Sequence, residues 1–227
     1  MNRTLNVVRM QLVNRQTYVW VPLIVLVGSW LLSVAIFAMI PFDGPKAGGG
    51  SFAPLWYFLA VGVQALTRTF PFSQAMSVTR REYFLGTLLT AAVTSAMLSV
   101  IFVIGGLIEL ATGGWGVNGW FFHLDWLWAA GPWGALLVFF VLAMLFFITG
   151  FWAATIFKRF GTLWLTVVIV GIGALLVAAI FLITRLEVWE QVITWILVQG
   201  ALGLTLWGLL LAAVLAVVSF ATLRRAI

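Results

Sequence analysis

Long apolar runs, each about the length of a bilayer crossing, alternate along this chain with short polar breaks. Roughly 20 apolar residues span a hydrocarbon core of about 30 Å. On that measure the pattern predicts six membrane-spanning helices, at residues 19–40, 52–67, 83–110, 134–157, 163–184 and 192–223. The first is entered through Tyr18 and Trp20 and ended by Pro41, and residues 42–51, with Pro45 and Gly48 to Gly50, read as a flexible outer connection. The third is long enough to tilt. Its Thr87, Ala91, Ser95 and Ser99 recur every four residues, a face that lets another helix approach closely. Packing within the chain is the simpler reading of that face, and a dimer seam the other. Residues 1–16 follow a different pattern. Met1, Leu5, Val8 and Leu12 form one stripe, with Asn2, Arg3, Asn6 and Arg9 off it. That spacing predicts an amphipathic helix lying in the membrane interface, with Arg3 and Arg9 toward the headgroups; a solvated basic N-terminus is the alternative.

Residues 113–130 break the apolar rhythm. Gly113, Gly114, Gly116 and Gly119 interrupt any helix, and Trp115, Trp120, Trp126 and Trp128 crowd the same stretch. Tryptophan favours the headgroup level, so the segment reads as lying in the outer interface; a dip into the membrane would require protein to cover its backbone. Lys158-Arg159-Phe160-Gly161 is a compact inner turn, 185–191 a short outer loop, and Gln199-Gly200 a candidate break in the sixth span. The expectation is an all-α polytopic membrane protein, residues 1–227 forming a single transmembrane domain.

The charges orient it. Arg3, Arg9 and Arg15; Arg68, Arg80 and Arg81; Lys158 and Arg159; and Arg224 and Arg225 fall in alternate breaks. The remaining breaks hold Lys46 and Arg185 with Asp43, Glu109, Asp125, Glu187 and Glu190. Cytoplasmic loops are enriched in Lys and Arg, so the alternation implies an even number of crossings with both termini cytoplasmic, in a bacterial cell (plasma) membrane. A chain that is 64% hydrophobic and 8% charged, with mean hydropathy +1.17, has the composition of a membrane protein. The net charge of +6 is divided among separate breaks, which fits anionic membrane lipid and not nucleic acid. Residues 1–16 are too polar for a signal-peptide core and no A-x-A-like site follows, so the first span is expected to be retained.

The missing chemistry narrows the function. The chain has no cysteine and one histidine, His123, with Asp125 two positions on; an interfacial hydrogen bond is the simplest use of that pair. There is no G-x-S-x-G, no H-E-x-x-H and no metal-ligand cluster, so no catalytic, cofactor-binding or metal-binding residues are assigned. The spans hold Gln64, Gln199 and scattered Ser and Thr, with Glu109 near an outer end. Carriers driven by ion gradients usually place charges there. Neither lysine, Lys46 or Lys158, lies in a phosphate-binding G-x-x-x-x-G-K-[ST] loop, so ATP, if it drives the protein, is bound elsewhere.

The polar segment between the second and third spans is the candidate docking element. Pro71 interrupts the helix, and residues 72–79 offer Phe72, Ala75, Met76 and Val78 to a groove, with Arg80, Arg81 and Glu82 framing it. A plain basic turn reads equally well on physics alone. The string Phe70-Pro71-Phe72-Ser73-Gln74-Ala75-Met76-Ser77-Val78-Thr79-Arg80-Arg81-Glu82-Tyr83-Phe84-Leu85-Gly86-Thr87 resembles the loop between the second and third spans of ABC-2-type transporter permeases. Small bacterial members carry a "Met-Gly/Ser-Val-Thr/Ser-Arg-Arg-x-Phe/Tyr-x-x-Gly-Thr" stretch there. The layout is similar too: a basic elbow helix, six spans and an outer break between the last two.

The resemblance implies that residues 70–82 are a cytoplasmic coupling helix, with Phe72, Ala75, Met76, Val78, Arg80, Arg81 and Glu82 meeting a separate ABC ATPase. That subunit would bind ATP and Mg, and this chain neither. It further implies an elbow helix at 1–16, pairing with a second permease copy or a homologous permease, and export of an amphipathic or lipophilic substrate such as an antibiotic, a peptide or a lipid-like molecule. A gradient-driven secondary carrier and a non-transporting scaffold or sensor component are the alternatives.

Overall fold

The structure, a computed structural model, describes residues 3–224. Met1 and Asn2 of the expected elbow, and Arg225, lie outside the described residues. The chain is helical almost throughout: α1 (Arg3–Val13), α2 (Val21–Met39), α3 (Ala53–Gln64), α4 (Phe70–Ala75), α5 (Arg80–Ala111), α6 (Gly131–Arg185) and α7 (Trp189–Arg224). Wider π-helical turns at Gln16–Trp20 and Ala65–Thr69 lead into α2 and out of α3. Among the described residues, four helical stretches are long and apolar enough to cross a membrane, Gln16–Met39, Arg80–Ala111, Gly131–Arg185 and Trp189–Arg224. The architecture is that of an all-α membrane protein.

The expected second span is α3, 12 residues long before its π-helical extension. The expected fourth and fifth are the two arms of α6, divided where Gly161 takes φ 84 and ψ −179, a backbone region essentially reserved for glycine. Helix α7 is broken in the same way at Gly200, with φ 60 and ψ −174.

The core is built by α3, α5 and the first arm of α6. Where α3 crosses α6, each supplies a glycine: a Cβ on Gly62 would sit 2.1 Å from the Phe147 carbonyl oxygen, and one on Gly150 2.0 Å from that of Leu59. Without a hydrophobic drive between helices in lipid, this close backbone approach is what supplies contact energy. Thr87, Ala91, Ser95 and Ser99 of α5 are all buried. Thr87 lies beside Phe147, Ile148 and Phe151, and Phe84–Phe151 and Phe102–Phe139 ring pairs at 5.9 and 4.5 Å tie α5 to α6 along its length. That small-residue face is therefore used inside the chain.

Helix α1 packs on the first turns of α5, with Val7 against Gly86, where a Cβ would fall 2.5 Å from Val7 Cβ. Its buried side chains are Val7, Val8 and Gln11, while Leu5 is 46% exposed. Of the Leu5–Val8–Leu12 stripe, Val8 is buried and Leu12 packs half-buried against the core, so the stripe docks in part and Leu5 is its open member. The docked face is set by the space over Gly86 and by a polar partner for Gln11. At the same end, Arg80 Nη1 donates to the carbonyls of Leu223 (3.2 Å) and Arg224 (2.9 Å) at the close of α7. The cation-bearing breaks therefore gather at one end of the bundle, and the 40–52 and 112–130 connections at the other. No residue from 157 to 200 is buried.

Candidate functional site

At the cation-rich end, residues 70–82 do not form one helix. Pro71 occupies the first turn of α4, where its missing N–H costs nothing, and α4 ends after six residues at Ala75. Ser77 turns the chain at φ 56, and Thr79 then starts α5. Thr79 Oγ1 accepts from the Glu82 amide at 3.2 Å, while Glu82 Oε2 accepts from the Thr79 amide (3.0 Å) and hydroxyl (2.8 Å), a reciprocal capping box. Those hydrogen bonds from Thr79, the side-chain one foremost, hold the Glu82 carboxyl below the ordinary carboxylate range. The expected coupling helix is thus a short helix, a left-handed turn and the first residues of α5. A competing helix start at Thr79 is what divides it.

The candidate coupling residues split into two groups. Phe72 and Met76, 58% and 59% exposed, stand out from the bundle beside exposed Ala75. Arg81 is also exposed, whereas Val78 packs half-buried against the core. Arg80 and Glu82 are spent on structure, Arg80 on the carbonyls that end α7 and Glu82 on its cap. Beneath α4 lies a buried polar knot with no counterpart in the hydrophobic pattern. Gln11 of α1 is fully buried and donates through Nε2 to Thr87 Oγ1 at 2.9 Å and to Thr69 Oγ1 at 3.5 Å. The Tyr83 hydroxyl meets Thr69 Oγ1 at 2.8 Å, and both hydroxyls donate to the Ala65 carbonyl. The knot joins α1, the π turn ahead of α4 and the start of α5. The spacing of Leu5, Val8 and Leu12 gives no signal for it, because Gln11 lies off that stripe.

At the opposite end, Glu109 is fully buried and closes α5 onto the Trp-rich segment. Its Oε1 accepts from Trp115 Nε1 (2.6 Å) and the Phe121 amide (2.8 Å), and its Oε2 from the amides of Phe122 (2.8 Å) and His123 (2.6 Å). Three successive backbone N–H groups and an indole thus converge on one carboxylate. Gly105 and Gly106 make room for the Phe122 and Trp128 rings, which a Cβ would approach to 2.8 and 2.2 Å. Trp128 donates to the Phe122 carbonyl at 3.0 Å and is buried; Trp115 and Trp120 are half-buried, and Trp126 is 47% exposed. Of the four expected interface tryptophans, Trp126 is therefore the open one, while Trp115 and Trp128 are enclosed by the folded segment. A two-residue parallel pairing, Lys46–Ala47 with Gly119–Trp120, and Asn118 Nδ2 donating to the Asp43 carbonyl at 2.9 Å tie the segment to the 40–52 connection.

His123 Nδ1 lies 3.4 Å from Asp125 Oδ1, and the Asp125 side chain is almost fully exposed. Among the described residues no group of three His, Cys, Asp or Glu is placed to hold a metal ion. Arg3 and Arg9 are both exposed on α1. No family model, curated protein or solved structure matches the chain.

Proposed function

We propose that this chain is the membrane-spanning permease subunit of an ATP-driven ABC-type exporter for an amphipathic or lipophilic substrate, with six crossings, cytoplasmic termini and a separate ATPase. The observation that carries the reading is the α4 element. Two large, exposed apolar side chains, Phe72 and Met76, project from the cation-rich end on a helix too short to be stable alone. They stand on a rigid base, because Thr69, Tyr83 and Gln11 join α4's approach to α1 and α5. A groove on an ATPase that took Phe72 and Met76 would move α1 and α5 with it. ATP-driven closure of two ATPases would then rock one permease copy against another, opening a path lined by apolar side chains between them.

Glu109 favours this over a gradient-driven carrier. It is the one buried acid among the described residues, and both its oxygens already accept two hydrogen bonds. A carboxylate so occupied is a fastening, with little capacity left for a driving ion. The test is affinity purification from the native membrane with mass spectrometry of bound proteins, for the unaltered chain and for Phe72→Ala/Met76→Ala. Recovery of a P-loop ATPase with the unaltered chain, and its loss with the variant, supports the reading. Intact complexes that contain no P-loop protein refute it.

A further inference from the structure

The cation-rich end carries a second feature that the coupling proposal does not use. Three adjoining clefts open there between α4, α5, α6 and α7. One of about 720 Å³ is lined by Arg80, Arg81, Phe220 and Arg224. A second, of about 510 Å³, shares Arg224 and adds Arg159 above Val217 and Val218. The third, of about 280 Å³, shares Arg80 and adds Lys158. Five cations thus line three neighbouring clefts, and no acid is among the residues lining them. Among the described residues, no Lys or Arg lies within 4.0 Å of an Asp or Glu carboxylate. Arg80 is committed to the end of α7, but Arg159 and Arg224 make only stacking contacts, over Phe160 at 4.6 Å and Phe220 at 5.8 Å.

Such a concentration of unpaired charge is self-repelling and calls for an anion. The floor beside it is apolar and open, with Val217 69% and Val218 43% exposed. Cationic rim and apolar floor together match an anionic phospholipid. We propose that the two clefts sharing Arg224 hold one: its phosphate bridges Arg81, Arg159 and Arg224, and an acyl chain lies along Val217 and Val218. Guanidinium groups suit phosphate because their paired N–H donors match its oxygens. A free phosphate would satisfy the rim and leave the floor bare, and an acidic partner protein would do the same; the floor decides for lipid. The inference needs no ATPase and stands or falls on the isolated chain.

The full chain, purified in neutral detergent, is titrated with phosphatidylglycerol, phosphatidylcholine of the same acyl chains, or inorganic phosphate, and bound lipid is counted by native mass spectrometry. The unaltered protein is expected to retain phosphatidylglycerol in preference to phosphatidylcholine, with no competition from phosphate at equal concentration. Arg81→Gln/Arg159→Gln/Arg224→Gln should weaken that retention on the order of 100-fold, from roughly fivefold per basic residue at a membrane surface. The corresponding Arg→Lys triple variant keeps the charge and should retain most of the binding, which separates lost contact from lost fold. Arg3→Gln/Arg9→Gln/Arg68→Gln removes the same charge elsewhere and should change retention less than about threefold, the level expected of diffuse attraction. Equal loss in the two Gln triple variants, equal retention of the two lipids, or displacement by inorganic phosphate would each overturn the proposal. So would a cleft variant that keeps its lipid but loses a bound protein partner.

Discussion

Glu109→Gln tests the fastening of the outer segment with a nearly isosteric change. In the native arrangement each carboxylate oxygen accepts two hydrogen bonds, from Trp115 and Phe121 on one side and Phe122 and His123 on the other. A glutamine keeps one acceptor oxygen and turns two N–H donors toward two others. Whichever way the amide faces, two buried donors of the segment lose their acceptor. At about 1–3 kcal/mol for each stranded group, the segment should be held less firmly by roughly 2–6 kcal/mol. The chain has no cysteine, so Leu127→Cys supplies a single thiol at a position 8% exposed within that segment. If labelling requires the segment to open, its rate reports the opening equilibrium. Every 1.4 kcal/mol is a factor of ten, so Glu109→Gln should speed labelling by a membrane-impermeant maleimide at least about 30-fold. Asp125→Cys, at an already exposed site, should label fast in either background. Labelling of the Leu127→Cys thiol within threefold of its rate in the Glu109 background, in protein that elutes as a single species, would refute the latch.

Three further outcomes follow from the packing. Gly150→Val drives a side chain into the Leu59 carbonyl and should cost about 1–3 kcal/mol, lowering the thermal midpoint in detergent by roughly 2–12 °C; an unchanged midpoint would contradict the α3–α6 crossing. Gly86→Val should push α1 off α5 by displacing Val7, exposing Gln11, so that protease cleavage within residues 3–13 accelerates while the rest of the bundle resists. Gly161→Ala meets no neighbour within 4 Å yet forces φ 84 on an L side chain, at a cost of about 1–3 kcal/mol, whereas Gly171→Ala, equally unobstructed inside the helix, should be neutral or slightly stabilising. Equal thermal midpoints for those last two would show that the break does not depend on glycine.

Much of the helical layout was legible because bilayer thickness fixes the length of an apolar run, and because charge marks the ends of each run. The grouping of Arg68, Arg80, Arg81, Lys158, Arg159 and Arg224 at one end of the fold follows from their placement in alternate breaks. Gly161 and Gly200 were legible as breaks since each adjoins polar residues. What the pattern concealed were contacts made by polar atoms inside the protein. Gln11 belongs on the solvated side of any hydrophobic stripe, yet it faces inward because Thr87 and Thr69 offer oxygens there. Glu109 read as a charge near a helix end; its four donors come from residues 115–123, a separation that no periodicity expresses. The Thr79–Glu82 box has the i, i+3 spacing of a helix start, and it ends at Thr79 the apolar run of 72–79 that would otherwise continue as one helix.

The distribution of burial makes its own argument about assembly. Through Ile156 the chain builds a buried core while leaving large apolar side chains of α2 and α5 exposed on its outer faces, and from Ala201 onward α7 packs back on that body. Between them, the second arm of α6 and the opening turns of α7 present Leu163, Val167, Val170, Leu175, Phe181 and Leu197 on all sides, with none of the stretch buried. A helix apolar on every face is stable only where hydrocarbon or another helix surrounds it, since in water each such side chain forfeits roughly 1.5–3 kcal/mol. Lipid can cover this arm anywhere. A second copy can cover it only through one face, which would leave the opposite face to lipid and divide the arm's residues into protected and accessible halves. Single cysteines placed at successive positions from 163 to 184 in this cysteine-free chain would read that division directly. A helical period in crosslinking between copies puts the arm at a contact between two copies of the chain, and uniform reactivity with no crosslinks assigns the whole arm to lipid, removing it from the proposed transport interface.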